Sequence, residues 1–130
     1  MIMQELTRIL YAEDQIDIQQ VATLALETVG SFTLKTCNSG VEAITAINDF
    51  QPQLLLFDVM MPDMDGPTAL KKIREMPEYK DTPAIFMTAK VQSNEVQTYL
   101  AMGAIAVIAK PFDPMTLASQ IQEIWQQSQQ

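Results

Sequence analysis

The stretch Gln53-Leu54-Leu55-Leu56-Phe57-Asp58-Val59-Met60-Met61-Pro62-Asp63-Met64-Asp65-Gly66 carries an apolar run straight into an acid and then into a turn. Four large apolar residues in succession, Leu54 to Phe57, read as a strand covered on both faces, which is the signature of a parallel sheet. In open parallel sheets ligands gather beyond the carboxyl ends of the strands, so Asp58 is delivered to the edge where such proteins do chemistry.

The same alternation extends in both directions. Residues 8–12, 32–37, 84–87 and 106–109 read as further strands, making five with Leu54–Phe57. Between them, residues 18–29 carry Val21, Leu24, Ala25 and Thr28 at helical spacing, and residues 41–48 carry Ala43, Ile44 and Ile47 in phase. A third helix opens at Pro67 and runs to about Glu75; a fourth spans 93–102 and ends at Gly103. The fifth has Asp113 as N-cap, Pro114 at N1, and an apolar face of Leu117, Ala118, Ile121, Ile124 and Trp125. Strict alternation with short connections implies right-handed crossovers, hence an α/β fold with a parallel sheet covered by helices on both faces.

The 130 residues fit one domain, expected over 1–126, with a flexible Gln-rich tail over 127–130 that is frayed or opens a linker. Apolar residues at 48% against charged ones at 18% place the chain among ordered globular proteins. Sixteen acids against eight bases give a net charge of −8, which opposes direct binding to nucleic acid or anionic membrane. No leader or apolar run of spanning length is present, and the single Cys37 suits a reducing compartment, so a soluble cytoplasmic protein is expected. The absence of histidine excludes every histidine-based triad and metal site. The nine methionines read as core filler and turn packing, and Asp63 and Asp65 as helix caps outside the site.

The strand ends converge on one constellation: Glu13 and Asp14 after strand 1, Asp58 after strand 3, Thr88 after strand 4, and Lys110 followed by Pro111 after strand 5. Unit charges about 4 Å apart repel by about 4 kcal/mol at an effective dielectric near 20, so three clustered carboxylates call for protons or a cation. Hard oxygen ligands without imidazole or nearby thiol favour Mg²⁺ over Zn²⁺. A carboxylate so placed can accept a phosphoryl group, with Lys110 pairing one phosphoryl oxygen and Thr88 donating to another. Ala89 leaves the approach to Asp58 open.

These residues resemble the receiver domain of two-component response regulators. Leu10-Tyr11-Ala12-Glu13-Asp14, then Leu55 through Gly66, Pro83 through Ala89, and Gly103-Ala104 to Lys110-Pro111-Phe112 carry the likeness, over nearly the whole chain. The strand order 2-1-3-4-5 comes with the resemblance, being that of the family's chemotaxis member. The resemblance implies that Asp58 accepts phosphate from a histidine kinase or histidine phosphotransfer protein. Asp14, Asp58 and the Met60 backbone carbonyl would hold Mg²⁺, with Glu13 acting through water, while Thr88 and Lys110 bind the phosphoryl group. A cis Lys110–Pro111 peptide is also implied.

One departure is expected to matter. Family members usually carry Tyr or Phe three residues before the lysine, a ring that turns inward as the threonine engages phosphate; Val107 stands there, and Ile105 and Ala106 replace polar residues. A β-branched valine cannot reproduce an aromatic rotamer change, so an altered partner surface on the helix 4, strand 5, helix 5 face is expected around Ile105 and Val107. The leading expectation is a phosphorylation-controlled module without an attached output domain that signals through a protein partner and is no turnover enzyme. A receiver-like adaptor independent of phosphorylation is the second. A flavin or nucleotide enzyme on the same fold is the third, disfavoured because Ala12-Glu13-Asp14-Gln15-Ile16-Asp17 offers acids where a phosphate cradle would be.

Overall fold

The computed structural model describes residues 4–129. Five strands form a parallel sheet in the order β2-β1-β3-β4-β5, with β1 Arg8–Ala12, β2 Thr33–Cys37, β3 Leu54–Asp58, β4 Ala84–Thr88 and β5 Ala106–Ala109. The expected α/β fold and strand order are therefore present. Parallel pairing needs a crossover between successive strands, supplied by α1 Ile16–Leu24, α2 Gly40–Phe50, α3 Gly66–Arg74 and α4 Ser93–Ala101, and α5 Leu117–Ser128 follows β5.

The two faces of the sheet make two cores. On one, Leu10, Leu55, Phe57 and Phe86 pack with Ala43, Ile47, Leu70 and Ile73 of α2 and α3. On the other, Ile9, Tyr11, Leu54, Leu56, Ile85 and Ile108 pack with Ala22, Leu26, Ile121 and Trp125 under α1 and α5. Every residue of β3 and β4 is buried, which is why those strands read as continuous apolar runs. The edge strand β2 instead alternates, with Thr33 and Lys35 exposed. In β5, the other edge, only Ile108 is fully buried, so its apolar run is mostly a half-covered surface.

Several boundaries differ from the expected ones for identifiable reasons. The first helix begins earlier, at Ile16, and widens after Leu24 into a π-helical turn, Ala25–Val29, closed by the Gly30 N–H on the Ala25 carbonyl at 3.1 Å. That turn brings Gly30 so near Ala118 and Phe32 that a Cβ there would meet both at 2.8 Å. α5 begins regularly only at Leu117; Asp113 still caps the turn leading into it, its Oδ1 accepting the Met115 N–H at 2.9 Å. At the far end α5 continues through Gln127 and Ser128, so helix occupies part of the stretch expected to be a tail; Gln130 lies outside the described residues.

Caps set the loops that surround the sheet edge. Asp65 Oδ1 accepts the Thr68 N–H at 2.8 Å and Pro67 sits in the first turn, as a start for α3 requires. Asp63 also caps a helix, but α2 rather than the following one, accepting the Val41 N–H at 3.1 Å. Gly103, at φ 111°, ends the α4 turn in a conformation that side chains rarely adopt. Among the described residues no helix is long and apolar enough to cross a membrane.

Candidate functional site

Parallel strands of similar length end at one edge, and that edge collects the candidate residues from four of them. The register Ala12↔Phe57 continues to Glu13 beside Asp58, and Thr88↔Ala109 puts Lys110 just beyond Thr88. Alternation turns Glu13, Asp58 and Lys110 to the same face as Tyr11, Leu56 and Ile108.

Glu13, Asp14 and Asp58 each offer an oxygen within 4.8 Å of the others. Glu13 is fully buried and Asp58 is 4% exposed, so neither carboxylate is a solvated surface acid. Lys110 Nζ bridges them, 3.0 Å from Glu13 Oε1 and 3.0 Å from Asp58 Oδ1. The sequence had suggested Lys110 for a phosphoryl oxygen; its salt bridge to Glu13, 97 residues away, is a contact that chain spacing did not signal. Glu13 Oε2 also accepts the Gln15 N–H at 3.2 Å, and the Gln19 amide donates to the Glu13 carbonyl at 2.8 Å, holding the β1–α1 loop to the site.

The electrostatics follow from this sharing. Burial, with the Asp58 charge added, pushes the Glu13 carboxyl above its ordinary value, although Lys110 and the Gln15 N–H pull the other way. Burial alone would lower the Lys110 ammonium, but its hydrogen bonds to Glu13 and Asp58 outweigh that and raise it. The site therefore keeps its ammonium among three carboxyl groups.

Three features fit a hard divalent cation. The donor set is all oxygen. Among the described residues Asp14 Oδ1, which is buried, finds no hydrogen-bond partner, an arrangement that costs free energy unless something positive meets it. Among the described residues no N–H or side-chain donor takes the Met60 carbonyl, which leaves it free at the same loop.

Thr88 is buried at the end of β4, its Oγ1 accepting the Lys90 N–H at 3.1 Å, while its carbonyl accepts the Lys110 N–H at 2.9 Å. The Lys110–Pro111 peptide is cis. Gly66 closes the β3–α3 loop with its N–H on the Val59 carbonyl at 2.9 Å; a Cβ there would stand 2.5 Å from the Asp58 carbonyl oxygen. Only glycine allows that approach. A cavity of about 650 Å³ opens onto Asp58, Thr88 and Lys110, walled by Ile18, Val21, Met60, Pro111 and Phe112. The constellation can thus bind a metal-bridged anion in a pocket whose approach is apolar.

Val107, where a ring was expected, is half-buried opposite Phe86. The ring on that side comes from α4: Tyr99 packs edge-on against Phe86, centroids 5.7 Å apart at 76°. Ile105 is 36% exposed and Met102 50%, leaving moderate apolar surface on the α4–β5 face. Sequence reasoning missed Gly66, whose role depends on a backbone approach, and the buried Tyr11 hydroxyl, which read only as part of a strand.

Residues 9–122 match the response regulator receiver domain family. The chain is 34% identical over 108 residues to the probable C4-dicarboxylate response regulator DctR of Halalkalibacterium halodurans, covering 82% of this chain and 46% of that protein. It is 32% identical over 115 residues to an uncharacterized 14.6 kDa protein of Leptolyngbya boryana, covering 88% and 87% respectively. Among solved structures, the Vibrio cholerae chemotaxis protein CheY4 superposes with a TM-score of 0.84 at 29% identity, over 92% of this chain and 99% of that one. The chain spans about half the length of DctR and of the CpxR homolog of Haemophilus influenzae.

Proposed function

Because this chain belongs to the response regulator receiver domain family, the signalling module of two-component systems, we propose that Asp58 is its phosphoacceptor, charged by a histidine kinase or histidine phosphotransfer protein. The observation that carries the reading is the Asp58 carboxylate itself: buried at the end of β3, tied through Oδ1 to Lys110, and facing a cavity wide enough for a phosphoryl group.

In the transfer, an Asp58 carboxylate oxygen attacks the phosphorus of a phosphohistidine. The P–N bond breaks, its electron pair returns to the imidazole nitrogen, and an acyl phosphate forms. Lys110 turns from Asp58 to a phosphoryl oxygen, and Thr88 donates its hydroxyl to another. Asp14, Asp58 and the Met60 carbonyl would hold Mg²⁺, with Glu13 acting through water; when bound, the ion neutralises charge shared by the carboxylates and the phosphoryl oxygens. Hydrolysis by water returns Asp58 to its free state, so the chemistry sets a signal lifetime rather than a product yield.

The downstream partner is a protein that reads the α4–β5–α5 face around Ile105 and Val107. The cytoplasm, where such kinases present phosphohistidine, is the compartment this chemistry requires, and the net charge of −8 argues against direct DNA contact by this domain. Val107 favours one second reading, an adaptor that binds its partner without phosphorylation, since no ring on β5 can change rotamer.

The test is incubation with a small acyl phosphate and Mg²⁺ followed by intact-mass measurement. One phosphoryl adduct is expected on the wild type and none on Asp58→Asn. An adduct that persists in the variant would refute the assignment. Beryllofluoride with Mg²⁺ separates the two readings: unchanged amide spectra and partner affinity would favour the adaptor.

A further inference from the structure

Tyr11 carries a hydroxyl for which the described residues provide no partner. The residue is fully buried on the interior strand β1, and its Oη makes no hydrogen bond among the described residues. Buried hydroxyls are nearly always paired, and a phenylalanine would fill the same space without the desolvation penalty. The hydroxyl therefore sits where packing alone does not call for one.

Its surroundings indicate what it serves. Alternation along β1 places Tyr11 on the face of Glu13, and the β1–β3 register places Leu56 beside it and Asp58 beside Glu13. A phenol is a neutral proton donor at pH 7, and the strand alternation sets this one on the face of the carboxylates. Glu13, for its part, is fully buried yet depends on a shared cation. Lys110 holds Oε1 at 3.0 Å while also holding Asp58, and among the described residues the only other hydrogen bond to the Glu13 carboxylate is the longer one from the Gln15 N–H to Oε2 at 3.2 Å.

We infer that Tyr11 is a positioning residue, whose hydroxyl takes up the Glu13 carboxylate when Lys110 leaves it, and so keeps that carboxylate at the metal-binding edge. The inference rests on the proposed function for the occasion on which Lys110 leaves. Removing Lys110 by mutation creates the same occasion without phosphate or metal.

Denaturant unfolding of wild type, Tyr11→Phe, Lys110→Ala and the double variant, at pH 7 with chelator present, tests it. In the wild-type background Tyr11→Phe should leave stability unchanged or raise it, because the hydroxyl has no partner to lose. In the Lys110→Ala background the same substitution should move the folding equilibrium about tenfold toward the unfolded state, the effect of losing one hydrogen bond to a buried carboxylate. Equal effects in the two backgrounds would overturn the inference. If the double variant does not fold, the Tyr11 Cζ resonance decides: it should differ between wild type and Lys110→Ala, and an unchanged resonance overturns the inference. Absence of a phosphoryl adduct on Asp58 would instead refute the proposed function, while the unfolding cycle would still judge Tyr11.

Discussion

Lys110→Ala should make the protein's stability depend on pH and Mg²⁺ more steeply than the wild type's does. The ammonium stands 3.0 Å from both Glu13 and Asp58, and removing it leaves two buried carboxylates with oxygens inside 4.8 Å. At that separation their repulsion is about 3.5 kcal/mol at an effective dielectric near 20. The deficit is capped, because the site can bind a proton instead: at pH 7, protonating a carboxyl whose ordinary value is 4.5 costs about 3.4 kcal/mol. Both routes give a loss near 3 kcal/mol, or about 10 °C in Tm for a chain of this size. At pH 5 the cap falls to about 0.7 kcal/mol, so the gap between variant and wild type should nearly close. Saturating Mg²⁺ at pH 7 should also stabilise the variant more than the wild type, since no ammonium competes for the carboxylates. Thermal and urea unfolding at pH 5 and 7, with chelator or with Mg²⁺, measures all three. A variant whose deficit is the same at both pH values and indifferent to Mg²⁺ would refute the charge balance drawn for this site.

Further outcomes follow from the same geometry. Glu13→Gln should remove a pH-dependent penalty: because folding raises the Glu13 carboxyl, its contribution is fully favourable below 4.5 and is lost as pH rises through the raised value, so wild-type stability should fall relative to the variant over that window in chelator-containing buffer. Parallel denaturant titrations show it, and a constant difference across the window would count against it. Gly66→Ala should cost about 1–3 kcal/mol despite any gain in helix propensity of up to about 1 kcal/mol, because the new Cβ meets the Asp58 carbonyl oxygen at 2.5 Å. Calorimetry should show the lower Tm, and intact mass a reduced phosphoryl adduct. Asp65→Ala should lose about 1 kcal/mol with the cap on Thr68, with little effect on adduct yield, since the cap lies outside the carboxylate cluster.

The strands were legible because burial dictates their composition. β1 and β5 have the expected bounds, and β3 and β4 each extend by the polar residue, Asp58 or Thr88, that ends the apolar run. Helix bounds were less legible, because the π-helical turn after Leu24 and the irregular first turn of α5 answer to packing against neighbouring elements rather than to periodicity. Asp63 shows the same limit: its position suggested a cap, but the helix it caps comes earlier in the chain, 22 residues back at Val41.

The sequence by itself determined that four strand ends would present a carboxylate-rich, histidine-free edge with one lysine and one threonine, because alternation and burial leave few other places for those residues. Tertiary structure alone decided how the charges are shared. Lys110 serves Glu13 as well as Asp58, Asp14 keeps an oxygen without a partner among the described residues, and Tyr11 buries a hydroxyl on the same face as Glu13. Those relations depend on through-space distances of a few ångströms between residues as far as 97 positions apart, and in a buried site such distances set how strongly charges attract and repel.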